Sequence, residues 1–258
     1  MTRPGERIDE ATLRDQVVEV CRRIHDRGYS SGWEGNVSAR LGPGRFLMTP
    51  SSVNKGWLKP ADLLIVDAEG VPLRGRARPS SESKVHMAIY RVRPDVGAVV
   101  HAHPPTAVAH TIAGVSLAQC LVPETVMTLG EVPTAAYATP TTHDVAAGVE
   151  SLAIDHDVIL MDRHGSVTLG RDVMQAYDRL ESLEHTAQIT LMARMLGPVR
   201  PLPAGEVARL RALGEAMGLR RAFGSCEGCT VCGDGPLPST DEAQIAEIVD
   251  RVLSRLKM

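Results

Sequence analysis

Two imidazoles separated by one residue, His101 and His103, close the run Gly97-Ala98-Val99-Val100-His101-Ala102-His103-Pro104. The run is short, apolar and rich in β-branched residues, which predicts a buried strand. Side chains alternate faces along a strand, so both histidines point the same way with Cα atoms about 6–7 Å apart, within reach of one metal ion. Pro104 and Pro105 end the strand and suit the first turn of a helix, which leaves the pair at an open strand-to-helix edge that can admit a substrate. A third candidate, His164, stands in Asp162-Arg163-His164-Gly165, after a second apolar run at Asp157–Met161. A catalytic zinc takes three protein ligands and keeps one position open, and two strand-end histidines with a third from a neighbouring strand would supply that set. An isolated His-x-His is more often a core histidine beside a surface one; the company of His164 turns the reading toward a metal.

Groups able to meet an anion lie elsewhere in the chain. Gly32-Trp33-Glu34-Gly35-Asn36-Val37-Ser38 offers backbone N–H groups and the Asn36 amide on a turn, although an ordinary turn before a strand explains the same residues. Thr49-Pro50-Ser51-Ser52 lies between two predicted strands. Pro79-Ser80-Ser81-Glu82 opens a predicted helix, where serine hydroxyls and free N–H groups suit a phosphate or carboxylate. Ser80 or Ser81 acting only as a helix cap, with Glu82 complementing the dipole, explains that segment equally well.

The elements that must hold these groups follow from periodicity. Leu13, Val17, Cys21 and Ile24 recur at helical spacing within 9–27; strands are predicted at Arg45–Thr49 and Leu63–Asp67, and a helix after Pro79 turns Val85, Ile89 and Val92 to the core. Beyond the histidine strand come a helix near 104–113, a strand near Val132–Tyr137, a helix near 143–154, strands at 157–161 and Ser166–Gly170, and long helices near 171–196 and 204–217. Strands and helices in alternation predict a layered α/β domain.

The chain has 258 residues, 43% of them hydrophobic, enough for a sizeable core in one large or two small domains. A formal net charge of −3 without a dense Lys/Arg tract gives no electrostatic footprint for nucleic acid or a membrane surface. The first residues, Met1-Thr-Arg-Pro-Gly-Glu-Arg7, lack the apolar core of a signal peptide, and no apolar run reaches membrane-spanning length, so a cytoplasmic protein is expected. Five cysteines, three of them crowded between Cys226 and Cys232, are expected to be reduced thiols.

Six of these segments, Gly35-Asn36-Val37-Ser38, Thr49-Pro50-Ser51-Ser52, Pro79-Ser80-Ser81-Glu82, His101-Ala102-His103-Pro104, Tyr137-Ala138-Thr139-Pro140 and His164-Gly165, occur in an order and spacing that resembles the class II aldolase/adducin amino-terminal domain family. The resemblance runs from about residue 9 to 196 and is nearest to its bacterial fuculose-phosphate aldolases. It implies a three-layer α/β/α sandwich and a C4 homotetramer with active sites at subunit interfaces. It also implies one Zn²⁺ per subunit on His101, His103 and His164, with Glu82 as an acid/base that can also touch zinc in the empty site. Asn36, Ser51, Ser52, Ser80 and Ser81 would bind the phosphate of a small ketose phosphate. Zinc would chelate the carbonyl and its neighbouring hydroxyl and stabilise the enediolate left when the carbon–carbon bond breaks. Glu82 would need a pKa nearer neutrality than a free carboxylate. The products implied are dihydroxyacetone phosphate and an aldehyde such as lactaldehyde.

Two departures accompany the resemblance. Ser52 stands where the family's phosphate loop has a glycine, and Val122 where it has a proton-donating tyrosine, leaving Tyr137 as the candidate for that role. His143 and His185 read as structural or surface residues. The same fold hosts sugar-phosphate 4-epimerases, methylthioribulose-phosphate dehydratases, decarboxylating relatives and a non-enzymatic adducin-like scaffold module; retention of all three histidines and Glu82 speaks against the last.

The expected organisation is therefore a class II aldolase domain at 1–221, a Cys/Gly/Pro-rich linker at 222–238 and an amphipathic helix at 239–258. Cys226, Cys229 and Cys232 have a spacing that could bind zinc or part of an iron–sulfur cluster, but without an evident fourth ligand they read rather as a flexible or redox-labile loop. Ser239-Thr-Asp-Glu242 forms a capping box, and Ile245, Ile248, Val249, Val252, Leu253 and Leu256 line one face of the helix that follows. A short amphipathic helix behind such a linker resembles the encapsulation peptides of bacterial microcompartments. The partners it implies are a shell protein or a co-encapsulated aldehyde dehydrogenase.

Overall fold

Eight strands form one sheet: β1 (Asn36–Gly42), β2 (Arg45–Met48), β3 (Leu64–Val66), β4 (Pro72–Arg74), β5 (Ala98–Ala102), β6 (Thr134–Ala135), β7 (Val158–Met161) and β8 (Gly165–Gly170). In this computed structural model, which describes residues 9–75, 77–139 and 143–219, they lie in the order β4-β3-β2-β1-β5-β8-β7-β6. Every neighbouring pair is antiparallel except β6 with β7. The expected linker at 222–238, its three cysteines and the helix at 239–258 lie outside the described residues.

Helices cover both faces. On one, α1 (Glu10–Asp26) and α6 (Val173–Leu196) set Val17, Val20, Ile24, Ala176 and Leu180 against Val37, Leu47, Ala98, Val100 and Ala102. On the other, α2 (Ser83–Val92) and α5 (His143–Ala153) pack Val85, Ile89 and Val149 on Met48, Leu64, Val99, Ile159 and Leu169. This is the expected α/β/α sandwich. The central strand shows why the site faces as it does: Ala98, Val100 and Ala102 turn toward α1 and α6, so by strand alternation His101 shares the face of Val99, that of α2.

Local signals fix the ends of the helices. Asp9 accepts a hydrogen bond from the Thr12 N–H at 3.0 Å and Asp172 accepts one from the Gln175 N–H at 2.8 Å, each capping the helix that follows. Helix α3 (Pro105–Ile112) starts directly after the histidine strand and is capped from outside. The buried Glu184 carboxylate on α6 accepts from the N–H groups of Thr106 and Ala107 at 3.0 and 2.9 Å, tying the exit of the histidine strand to the longest helix.

Expected and observed elements differ in a few places. The strand near 132–137 shrinks to the two residues of β6, which follow Pro133, a residue with no N–H to give a ladder. Asn36, expected on a turn, is the first residue of β1, because the break at Gly32–Gly35 ends one residue before it. Helix α4 (Pro123–Thr128) and strand β4 were not anticipated, being too short to show periodicity; α7 (Ala204–Ala216) agrees with expectation. The sheet ends in short strands, β4 with three exposed residues beginning at Pro72, and β6 with two. No helix among the described residues is long and apolar enough to cross a membrane.

Candidate metal centre

Register brings the chemistry together. Asn36 on β1 lies opposite His101 on β5, and Ala102 lies opposite Ser166 on β8. His103 follows the last residue of β5. His164 was expected from a neighbouring strand but sits in the turn joining β7 to β8, next to Arg163, whose φ of +59° is left-handed and whose N–H donates to Thr111 Oγ1 at 2.9 Å. Glu82 is the N-cap residue of α2.

The three imidazoles meet edge to face, with ring centroids 4.9, 5.1 and 5.0 Å apart. His101 Nε2 and His103 Nε2 are 3.1 Å apart, and the candidate ligand atoms of all three rings fall within 4.8 Å of one another. His101 Nδ1 is 2.9 Å from the Ser166 carbonyl oxygen, to which it donates as N–H, so in the neutral ring, the form that would bind a metal, the Nε2 lone pair faces the cluster. The Glu82 carboxylate straddles two rings, with Oε2 3.1 Å from His101 Nε2 and Oε1 3.0 Å from His164 Nε2. Three convergent imidazole nitrogens with a carboxylate beside them fit a divalent cation that keeps one position for substrate.

Charge in this cluster is strongly organised. Burial disfavours the Glu82 anion, but His101 and the hydrogen bonds from His101 and His164 outweigh it and hold the carboxyl well below its usual range. Burial likewise opposes a charged His101, yet Glu82 raises it above the ordinary imidazole value. His103 goes down to about 3, through burial and through its neighbours His101 and His164. The expectation that Glu82 lies nearer neutrality is therefore not met in this arrangement, because two imidazoles clamp it. A cation held on the same nitrogens would replace that clamp.

Two glycines make the convergence possible. A Cβ on Gly165 would stand 2.5 Å from the Ala102 carbonyl oxygen, 2.9 Å from His103 Cδ2 and 3.0 Å from His101 Cε1. A Cβ on Gly35 would stand 2.8 Å from the His101 carbonyl oxygen, and its φ of +75° is one that other residues rarely adopt.

The candidate anion groups divide into two sets. Asn36 Nδ2 donates to Glu82 Oε2 at 2.8 Å and to Ser80 Oγ at 3.3 Å, so the amide is a bridge between the carboxylate and the serine loop. Ser80 Oγ also accepts from the Glu82 N–H at 3.3 Å, while Ser81 is exposed. The Ser51 N–H donates to the Arg78 carbonyl at 2.9 Å and Pro50 bridges to Pro79, lacing the Ser51–Ser52 loop to the Ser80–Ser81 loop. Tyr137 lies exposed after β6, and the hydrogen bonds and ring contacts among the described residues do not join it to the imidazoles.

Ser52 has a φ of +58°, the left-handed conformation that glycine adopts freely. It is the conformation that would suit the glycine the family resemblance implies at this position. Ser52→Gly is expected to raise unfolding stability by up to about 1 kcal/mol, the left-handed strain less the entropy glycine adds to the unfolded chain. Denaturant melts would measure it; a clear loss of stability would mean that the Ser52 hydroxyl contributes more than its backbone strain removes.

A residue that sequence inspection passed over is Lys55, which is buried and whose Nζ donates to the Trp33 and Val53 carbonyls at 2.8 and 2.9 Å. Its only sequence signal is a position four residues after Ser51, unremarkable for a lysine.

Three convergent histidines and a carboxylate, gathered at one edge of the sheet beside two serine-rich loops, form a site that could hold a divalent metal. The family model for the class II aldolase and adducin N-terminal domain matches residues 15–191, and the chain belongs to that family. It is 35% identical over 209 residues to the 3-oxo-tetronate 4-phosphate decarboxylase of Escherichia coli strain K12, a match covering 79% of this chain and 97% of that protein. It is 32% identical over 179 residues to the L-fuculose phosphate aldolase of Methanocaldococcus jannaschii, covering 69% of this chain and 96% of that one. The crystal structure of l-fuculose-1-phosphate aldolase from Thermus thermophilus matches with a TM-score of 0.65 at 35% identity, over 74% of this chain and 100% of that chain. Class II aldolases are in general dependent on a divalent metal, and the histidine triad here fits one.

Proposed function

We propose that this protein is a zinc-dependent lyase that breaks a carbon–carbon bond in a small phosphorylated keto compound, leaving dihydroxyacetone phosphate. The observation that carries this is the convergence of His101, His103 and His164 on one point with Glu82 at 3.0–3.1 Å, bridged by Asn36 to Ser80. Zinc, when held by the three imidazoles, supplies Lewis-acid stabilisation of the negative charge that develops on the carbonyl oxygen. Asn36, Ser51, Ser52, Ser80 and Ser81 hold the phosphate, fixing the scissile bond against the centre. Glu82 carries the proton that must reach the carbon vacated by the departing fragment.

The departing fragment is, in our reading, carbon dioxide from a 3-oxo sugar acid phosphate. The similarity to the Escherichia coli decarboxylase supports this, as does Val122 at the aligned position of the family's proton-handling tyrosine. An ionised carboxylate leaves as CO₂ without giving up a hydroxyl proton, so no group need act on that half. The second reading, retro-aldol cleavage of a fuculose- or rhamnulose-type ketose 1-phosphate to lactaldehyde, is supported by the two similar aldolases. It requires a group for the aldehyde-side proton, and Tyr137 is the candidate on this chain.

Both reactions release dihydroxyacetone phosphate, so the co-product decides. With 3-oxo-tetronate 4-phosphate, fuculose 1-phosphate and rhamnulose 1-phosphate offered in turn, equimolar CO₂ with dihydroxyacetone phosphate is expected, together with one zinc per chain. His103→Ala should lose both metal and turnover. Lactaldehyde without CO₂ would establish the second reading; zinc without any cleavage would move the function to an epimerase or dehydratase. Absence of zinc under metal-replete conditions would overturn the metal centre.

We also propose a homotetramer, and cargo status within a bacterial microcompartment through residues 239–258, supported by the amphipathic pattern of that segment. A fluorescent protein carrying 239–258 should co-localise with assembled shell proteins, and a diffuse signal would sink the cargo role.

A further inference from the structure

Lys55 is a buried cation whose hydrogen bonds go to carbonyls, and those carbonyls belong to the two segments that flank the centre. The Trp33 carbonyl lies in the 29–35 segment, where the Tyr29 carbonyl accepts from the His103 N–H at 2.9 Å and Gly35 packs against the His101 carbonyl. The Val53 carbonyl follows Ser51 and Ser52 directly. Among the described residues no carboxylate forms an ion pair with Nζ; burial pulls the ammonium below its ordinary value, and Cys21, Glu34 and Glu82 act on it through space in the opposite sense. Burying an ammonium carries a desolvation cost that burial does not repay by itself. Hydrogen bonding between two loops could be served by a neutral side chain. A fixed positive charge behind an anion-binding loop could not.

Resting on the phosphate reading proposed above, we infer that Lys55 is a positioning residue: its buried ammonium clasps the 29–35 and 51–54 segments and supplies a fixed positive field beneath the loop that takes the substrate phosphate. It touches no reacting atom. Because the charge is buried, bulk salt screens it less than a surface lysine, so it biases the pocket toward dianions at physiological ionic strength. Removing the charge while keeping a donor should weaken phosphate binding and leave the metal in place.

The test uses the zinc-loaded full chain and inorganic phosphate, followed by calorimetry and by competition with turnover, on wild type, Lys55→Gln, Lys55→Met and Lys55→Arg. Lys55→Gln and Lys55→Met are expected to bind phosphate about tenfold or more weakly. Their zinc content should equal that of wild type, and KM for the phosphorylated substrate should rise more than kcat falls. Lys55→Arg, which keeps the charge, should recover most of the affinity. Should Lys55→Met not fold, the contrast of Lys55→Gln with Lys55→Arg carries the same decision. Phosphate bound equally by wild type and Lys55→Gln overturns the inference alone. Failure of wild type to bind phosphate at all overturns the phosphate reading and the inference with it.

Discussion

With the divalent metal loaded, Glu82→Gln should keep that metal and lose nearly all turnover. The substitution keeps an oxygen that can accept from Asn36 Nδ2, now 2.8 Å from Oε2, so the bridge to Ser80 survives. It removes the anion that straddles His101 and His164 at 3.1 and 3.0 Å and leaves no group there able to carry a proton. Loss of a positioned acid/base costs about 10²- to 10⁴-fold in rate, and the three imidazoles remain to hold the metal. The measurement is kcat with zinc content determined on the same sample. A variant that retains zinc and more than a tenth of wild-type kcat would mean that Glu82 organises the imidazoles and moves no proton.

Gly165→Ala is expected to damage the centre without touching any of its polar groups. The added methyl would meet the Ala102 carbonyl oxygen at 2.5 Å and two imidazole carbons at 2.9 and 3.0 Å. The oxygen belongs to β5, paired on both sides, and cannot retreat easily. The rings must therefore turn, and Nε2 atoms that now converge will diverge. Substitutions that disturb ligand orientation cost about 10- to 100-fold in metal affinity, with overpacking costing about 1–3 kcal/mol of stability. Chelator competition and denaturant melts would report the two separately. Metal affinity within twofold of wild type would show that the turn at His164 gives way instead.

Much of this was legible from the residues. The period of two through Val99, His101 and His103 indicated a shared face, and that face is the one α2 covers. The apolar run before His164 located a third ligand candidate, though not that it belongs to a turn. The helix start at Ser80, Ser81 and Glu82 was visible as a candidate anion site, but only the resemblance favoured that reading over capping and gave Glu82 its acid/base role. Nothing in the order of residues revealed that Glu82 is held by two imidazoles, because that depends on β1 and β8 flanking β5 from opposite sides. The close approaches at Gly35 and Gly165 depend on the same register. Lys55 was passed over because burial of a lysine at the start of a three-residue helical turn leaves no periodic trace. Elements as short as α4 and β4 give too few residues for a repeat to emerge.

The two rims of the sheet bear on how copies of the chain can associate. An exposed strand edge is a template on which another chain can add by backbone pairing, and long flat edges invite aggregation. Here one rim is three residues long, starts with a proline that has no N–H to donate and ends with Arg74, and the other is two residues long. Neither offers a ladder worth extending. Among the described residues the sheet offers little to extend at either end, so any association between copies would fall to helix surfaces and connecting loops rather than to continuous β-pairing.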